Sequence, residues 1–282
     1  MNEDIKKKIQ NLQLEILPIF NNNDSFKYNI DWRGQYEGES IAILRPKNKH
    51  EISKILKFAN ENFITVVPQG GNTSLCGGAT PIKNSNSVIV STEKMDKIIH
   101  IDKNSMSITL EPGVILSNIH EEVEKFDLFF PLSLGAKGSC VIGGNLSTNA
   151  GGINVLKYGN TRELCLGLEV VLPTGKVLNL SNNLKKDNTG YDLKNIFIGA
   201  EGTLGIITSA TMKLFPKAKM RITSYIEALT IKNSILLLNL FQNELQNELE
   251  AFELMPQVFW EVASNNDKDK FLPFNKMPKM GV

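Results

Sequence analysis

The spacing of apolar residues changes twice between Ser40 and Gly71. Ile41 to Leu44 is an unbroken apolar run that stops at Pro46, the pattern of a short strand. Ile52, Ile55, Leu56 and Ala59 then recur at three- and four-residue steps, which predicts a helix with one apolar face. Phe63 to Val67 reads as a second strand and delivers the chain to VVPQGGNTSLCGG, residues 66–78. The prediction is a β-α-β unit followed by a turn of small residues. Ahead of it, Ile5, Ile9, Leu12 and Ile16 space out an N-terminal helix.

Downstream, SVIVSTEKMDKIIHID and SMSITLEPGVILSNIHEEVEKFDLFF predict two strands, a turn at Glu111–Gly113 and a helix from Ile115 to Lys125. Pro131 to Asn160 carries seven of the 21 glycines, so neither regular helix nor strand is expected there. GLEVVLPTGKVLNL predicts a hairpin turning at Pro173–Gly175. A third glycine cluster, GAEGTLG at 199–205, runs into the strand IITSATMKLF. Near Lys217 the character changes. RITSYIEAL and LEAFELM predict strands, while TIKNSILLLNLFQNEL and PQVFWEVASNN predict helices. Lys268 to Val282 shows no period. Two strands are too few to stand alone, so 218–282 reads as the beginning of a larger domain. The divisions are 1–36, an N-terminal helical segment; 37–217, the main domain; and 218–282.

Composition narrows the classes. Hydrophobic residues make up 41%, charged residues 22%, and the net charge is +1, so neither nucleic acid nor an anionic membrane is the expected partner. Cys76, Cys140 and Cys165 are odd in number and far apart, which argues against a disulfide framework or a metal cluster and predicts small buried thiols. The N-terminus mixes acids with lysines and lacks the continuous apolar core of a signal peptide. No apolar run approaches the roughly 20 residues of a spanning helix. The expected location is cytoplasmic.

The glycines carry the candidate chemistry. Successive backbone N–H groups in a glycine-rich turn form an anion-binding nest, and Gln69 to Ser74 would wrap a pyrophosphate in that way. Asn72, Thr73 and Ser74 would add side-chain donors. A triphosphate loop is excluded because no lysine follows Gly77–Gly78. A dinucleotide Rossmann turn is excluded because 199–205 opens a strand rather than a helix. One such loop is equally a tight turn. Three of them, each beside a predicted strand, point to a long dinucleotide with a flat head group.

VVPQGGNTSLCGG, PLSLGAKGSCVIGGNLSTNAGG, YGNTRELCLGLEVVLPTGKVL and KKDNTGYDLKNIFIGAEGTLGIIT resemble, in order and spacing, the FAD-binding half of the vanillyl-alcohol-oxidase flavoproteins. DWRGQYEGES, LGAKGSC, KDNTGYDLK and AFELM are most similar to its branch of D-2-hydroxyglutarate, D-lactate and glycolate dehydrogenases. The resemblance runs from about Asp31 to Trp260 and implies an α+β fold. A two-subdomain, PCMH-type FAD-binding domain would occupy 37–217, followed by an incomplete α/β cap domain. Pro68, Gln69, Gly70, Gly71, Asn72, Thr73 and Ser74 would hold the FAD pyrophosphate. Leu134, Gly135, Gly138, Ser139, Gly143, Gly144, Thr148 and Ala150 would run along the cofactor. Glu201, Gly202, Gly205 and Ile206 would close over the adenine and ribose. The first loop has no histidine, and Cys76 lies beyond the position that carries a flavin link in some relatives, so FAD is expected to be non-covalent.

The implied reaction is FAD-dependent dehydrogenation of a D-2-hydroxy acid, D-2-hydroxyglutarate foremost, with electrons passing to an electron-transfer flavoprotein or a quinone-linked acceptor. The family's metal and carboxylate ligands resemble nothing in this chain, so no catalytic or metal-binding residue is assigned and the chain reads as C-terminally truncated. Two alternatives stay open: a D-lactate or glycolate dehydrogenase subunit that pairs with a separate cap chain or as a homodimer, and a non-catalytic flavin-binding module. Lys137 would meet phosphate or solvent. Tyr158 and Arg162 would border the flavin or pack structurally. Asn188, Tyr191 and Asp192 are read as a capped turn, and His50, His100 and His120 as ordinary histidines.

Overall fold

In the computed structural model, which describes residues 2–20, 23–266, 273–274 and 276–282, the first sheet contains the strands β1 (Ile19–Phe20), β2 (Ala42–Leu44), β3 (Thr65–Gln69) and β4 (Ser87–Ser91). Their order is β1-β2-β4-β3, and β2 and β3 both pair with β4 in parallel. The two strands of the predicted β-α-β unit are therefore separated by a third. β4 is buried along its whole length, which explains why SVIVS is a continuous run rather than an alternating one.

The crossover helix Lys49–Glu61 starts on a reciprocal cap. Asn48 Oδ1 accepts the Glu51 N–H at 3.0 Å, and the Glu51 carboxylate reaches back to the Lys47 N–H at 2.8 Å. Its predicted stripe, Ile52, Ile55, Leu56 and Ala59, is buried. Ile5 and Ile9 of the N-terminal helix Asn2–Gln10 join the same core, together with Leu44, Val90, Val171 and Ile206. The strand expected from Phe63 begins two residues later. Phe63 itself has φ 54° and is 93% exposed, part of the turn that leaves the helix.

The chain continues with β5 (Ile98–Asp102), β6 (Ser107–Leu110), β7 (Leu128–Phe129), β8 (Cys165–Val171), β9 (Val177–Leu180), β10 (Ile206–Lys213) and β11 (Phe215–Pro216). Five of these form an antiparallel sheet in the order β5-β6-β10-β8-β9, while β11 pairs with β7. The β8–β9 hairpin is the predicted one. Its turn presses against the crossover helix: a Cβ on Gly175 would lie 2.8 Å from the Ser53 carbonyl oxygen, and φ there is +81°. Only glycine meets both demands.

The glycine-dense stretch is more regular than its composition predicts. Ile142–Ser147 is a helix although it contains Gly143 and Gly144. The glycines serve close packing: a Cβ on Gly143 would stand 2.5 Å from Pro112 Cβ and 2.9 Å from the Pro112 carbonyl oxygen.

Two compact units result, Met1–Ala150 with Asn160–Lys217, and Gly151–Gly159 with Ala218–Val282. In the second, helices Ile231–Leu245 and Gln257–Asn266 form as predicted. The strands do not. LEAFELM keeps only the two-residue strand β12 (Met255–Pro256), which pairs with β13 (Met280–Gly281). RITSYIEAL is reduced to a bridge at Glu227, flanked by the reciprocal Ile226–Val282 backbone bonds of 3.0 Å. The last residues thus supply the pairing that the aperiodic tail gave no sign of. Of that tail, residues 268–272 and 275 lie outside the described residues.

Candidate functional site

The first unit holds a cleft of about 430 Å³, within the range of ligand sites. Three glycine-rich segments, far apart in sequence, converge on it. The first follows β3, and all of Pro68 to Ser74 line the cleft. From the second come Leu134, Gly135, Gly143, Gly144, Thr148 and Ala150, and from the third Glu201, Gly202, Gly205 and Ile206. Gly138 and Ser139 lie outside the lining. Ser139 instead backs the first loop: its carbonyl oxygen would be 2.1 Å from a Cβ on Gly71.

The first loop offers backbone donors. The N–H groups of residues 70–74 find no acceptor among the described residues, and Asn72 takes the left-handed conformation, φ 50°. That residue type tolerates it best after glycine. No lysine or arginine lines the cleft among the described residues, so backbone dipoles are what an anion would meet there. Two side chains of the loop do other work, one of them Asn72, which was expected to donate to the ligand. Gln69 is buried and donates its amide to the carbonyls of Tyr28 and Ala79, both at 2.9 Å. Asn72 donates its amide to the Ile30 carbonyl at 2.8 Å.

The bonds to Tyr28 and Ile30 tie the loop to the segment that leads into the DWRGQY turn. Asp31, buried, accepts the N–H of Tyr36 at 2.6 Å and of Arg33 at 3.1 Å, and these bonds hold its carboxyl below the usual carboxylate range. The Tyr36 ring then closes over Gly77, where a Cβ would approach it to 2.7 Å. In the sequence this turn was only a mark of resemblance. Its bracing role has no periodicity to reveal it.

The third segment is anchored to the second. The Leu146 carbonyl accepts the N–H of both Asn149 and Gly199 at 3.0 Å, and the Ser147 carbonyl accepts Glu201 N–H at 2.8 Å. Arg162 donates to the carbonyls of Asn195 (2.6 Å) and Ile198 (2.5 Å), so it fastens the approach to this loop and does not line the cleft. A Cβ on Gly202 would lie 2.8 Å from the Pro68 ring, which closes the third loop against the first. Glu201 has φ 52° and brings its carboxylate beside Gly78. A carboxylate there suits hydroxyl donors, not phosphate.

The remaining walls are apolar or small. Pro112, Val141 and Ile207 also line the cleft, although none of them was singled out as a site residue. Cys140 does too, its thiol pushed up by burial, and Cys165 is buried as expected. Cys76 is exposed, contrary to the expectation for all three, and lies outside the cleft lining. Lys137 is exposed and outside the lining. Asp192 accepts from Lys194 and Asn195 within its own turn, while Tyr191 is 93% exposed. His120 holds the Leu132 carbonyl at 2.9 Å, and burial lowers its pKa.

FAD, the expected cofactor, fits these walls. The unpaired N–H row suits a pyrophosphate, and a Cβ on Gly135 would meet nothing within 4 Å, so backbone borders open space there.

The model of the FAD binding domain family matches residues 40–181, just over half of the chain. The mitochondrial D-2-hydroxyglutarate dehydrogenase of Danio rerio is 43% identical over 227 residues, covering 80% of this chain and 42% of that protein. Its counterpart in Arabidopsis thaliana is 41% identical over 238 residues, 84% of this chain and 42% of that one. The D-2-hydroxyglutarate–pyruvate transhydrogenase of Saccharomyces cerevisiae is 40% identical over 250 residues, 88% and 49%. The chain thus spans less than half the length of these relatives. Among solved structures, an alkyldihydroxyacetonephosphate synthase superposes with TM-score 0.68 at 22% identity, covering 77% of this chain and 41% of that one. The 6-hydroxy-D-nicotine oxidase of Arthrobacter nicotinovorans gives 0.65 at 21% identity, covering 82% and 49%. These two share the fold, a PCMH-type FAD-binding architecture. The cytoplasmic expectation is corrected here: the D-2-hydroxyglutarate dehydrogenases it resembles are named as mitochondrial.

Proposed function

Because the chain belongs to the FAD-binding domain family, with FAD as the family's cofactor, we propose that it is the FAD-holding part of a D-2-hydroxyacid dehydrogenase, with D-2-hydroxyglutarate as first-choice substrate. The observation that carries this reading is the convergence of three glycine segments on one cleft that offers unpaired backbone N–H groups and no basic side chain. The identity to D-2-hydroxyglutarate dehydrogenases, 43% and 41%, supports the substrate class. We take the mitochondrion as its compartment on the same ground.

When bound, FAD supplies a hydride acceptor for the substrate C2 hydrogen. The chain's own residues bind and orient it without a covalent link. The N–H groups of residues 70–74 would hold the pyrophosphate. Gly135, Gly143, Gly144, Thr148 and Ala150 form the wall along its length, with Leu134 beside them. Glu201 accepts from sugar hydroxyls, and Gly202, Gly205 and Ile206 exclude water from that end. A hydroxy acid also needs a base for its hydroxyl proton and cations for its carboxylate. The cleft lining holds no cationic side chain among the described residues, and its one carboxylate, Glu201, is taken up by the sugar hydroxyls in this reading, so these groups come from outside it. An electron-transfer flavoprotein or a quinone-linked carrier would be the electron acceptor, and a separate cap chain or a second copy is the partner that would complete the substrate site.

The test is to load the chain with FAD, exclude oxygen, and follow the flavin absorbance as D-2-hydroxyglutarate, D-lactate or glycolate is added. The band should persist with the chain alone and bleach, D-2-hydroxyglutarate first, once a polypeptide corresponding to the relatives' remaining length is supplied. No bleaching by any of the three acids in that mixture would refute the dehydrogenase reading. Bleaching by the chain alone would place the base within these residues.

A further inference from the structure

Six buried side-chain polar atoms have no hydrogen-bond partner among the described residues, and one of the six, Asn145 Oδ1, belongs to a residue that lines the cleft. Asn145 sits in the helix Ile142–Ser147 and is 5% exposed. Its backbone is fully engaged: the N–H donates to the Val141 carbonyl at 3.0 Å, and the carbonyl accepts the Ala150 N–H at 2.8 Å. The side-chain amide is only half used. Its N–H side hydrogen-bonds the Cys140 sulfur, while its carbonyl oxygen meets no donor. The other two amide side chains of the cleft, Gln69 and Asn72, are committed to protein carbonyls.

A buried acceptor without a donor is costly, and asparagine is a poor residue for a helix interior. A leucine in the same place would avoid both costs. The first cost is recovered when a ligand brings an O–H or N–H group, and a phosphate oxygen brings none. Position narrows the choice of donor. The preceding residue, Gly144, backs the first loop: a Cβ on Gly70 would lie 3.6 Å from its Cα and N atoms. Two residues further on, the Ser147 carbonyl holds the Glu201 N–H at 2.8 Å. Asn145 therefore stands between the segment assigned to the pyrophosphate and the segment assigned to the adenine and its ribose. The donors at that place in FAD are ribose hydroxyls.

On the FAD reading above, we propose that Asn145 Oδ1 accepts a hydrogen bond from a hydroxyl of the ribose beside the adenine. The residue positions the adenosine half of the cofactor and makes the cleft selective for a ribose over a deoxy sugar. Glu201, the one carboxylate of the lining, accepts from the same sugar and supplies the rest of that selectivity.

Calorimetric titration with ADP and with 2′,3′-dideoxy-ADP, on the wild-type chain and on Asn145→Leu, deletes the contact from either side. The wild type should bind ADP about tenfold more tightly than the dideoxy compound. In Asn145→Leu the gap should shrink to about threefold. The dideoxy compound should bind both chains alike, which also shows that the variant is folded. Should Asn145→Leu not fold, Asn145→Ala, which needs no new space, is read in the same way. An equal gap in wild type and variant would overturn the assignment, because the amide would then act only through packing. So would a wild type that binds both compounds equally, or one that takes FAD but no ADP. In all three cases the FAD reading itself stands. A wild-type chain that binds neither FAD nor ADP would overturn that reading and the role of Asn145 with it.

Discussion

Gly143 and Gly144 are neighbours in one helix, and the structure predicts opposite outcomes for the same substitution. In a helix interior, replacing glycine by alanine gains about 1 kcal/mol from reduced backbone entropy. At Gly143 that gain is outweighed. The new methyl would stand 2.5 Å from Pro112 Cβ and 2.9 Å from the Pro112 carbonyl oxygen, and the Gly143 N–H donates to that same carbonyl at 2.8 Å. Backbone cannot swing aside as a flexible side chain would. Overpacking costs about 1–3 kcal/mol, and contacts this short belong at the upper end, about 2–3 kcal/mol, so Gly143→Ala should lose about 1–2 kcal/mol net. The melting temperature should fall by about 2–8 °C. At Gly144 the nearest atom is Val141 Cγ2 at 3.9 Å, an ordinary contact, so Gly144→Ala should keep or raise the apo melting temperature. Gly144 lines the cleft, however, and a methyl facing a bound cofactor costs about 1–3 kcal/mol, tenfold or more in FAD affinity. Thermal melts without FAD and flavin-fluorescence titrations separate the two effects. A Gly143→Ala chain as stable as wild type would refute the packing argument. Unchanged FAD affinity in Gly144→Ala would refute the placement of cofactor along this helix.

Arg162→Ala should loosen the third loop, because the Asn195 and Ile198 carbonyls lose charged donors worth about 1.5–3 kcal/mol each when buried. Arg162→Lys should rescue only part of the melting temperature, since lysine lacks the planar fork. A thiol reagent should modify Cys76 quickly and alone in the native chain, with Cys140 and Cys165 reacting only in denaturant; two fast thiols would contradict their burial. Asp31 has a depressed folded pKa, so its stabilisation is present above the unfolded value of about 4 and is lost as pH falls through the folded value. Asp31→Asn should flatten that part of the acid denaturation profile, and an unchanged profile would show that the turn does not depend on the charge. Ile231, Ile235, Leu236 and Leu240 are each more than half exposed on one helix, so the isolated chain should self-associate at high concentration; a monodisperse monomer by sedimentation would count against this.

The elements that the pattern of residues made legible were those whose own residues decide them. The crossover helix carries its apolar stripe and its Asn48–Glu51 cap within a few residues. The β8–β9 hairpin carries its own turn. The first loop was legible because a row of backbone donors needs little beyond glycines and small residues. What escaped reading depends on partners distant in sequence. The 142–147 helix packs its Gly143 against Pro112, a partner distant in sequence, whereas glycine count alone argues for a loop. The side-chain amides of Gln69 and Asn72 are engaged away from the ligand, although both residues line the cleft, because the carbonyls of Tyr28, Ala79 and Ile30 accept them. The strands of the second unit shrank because their pairing partner is the end of the chain, where no period signals one. Tyr158 and Arg162 were noticed, yet only their distant partners, Glu250 and the 195–198 carbonyls, reveal what they do.

The central claim is that the cleft holds FAD without a covalent bond. The most direct measurement is to incubate the chain with FAD, pass it through gel filtration, and then precipitate the protein with acid. The account predicts flavin absorbance travelling with the protein at about one per chain and returning wholly to the supernatant after acid. Protein that elutes colourless would contradict the cleft assignment, and flavin that stays in the pellet would contradict non-covalent binding.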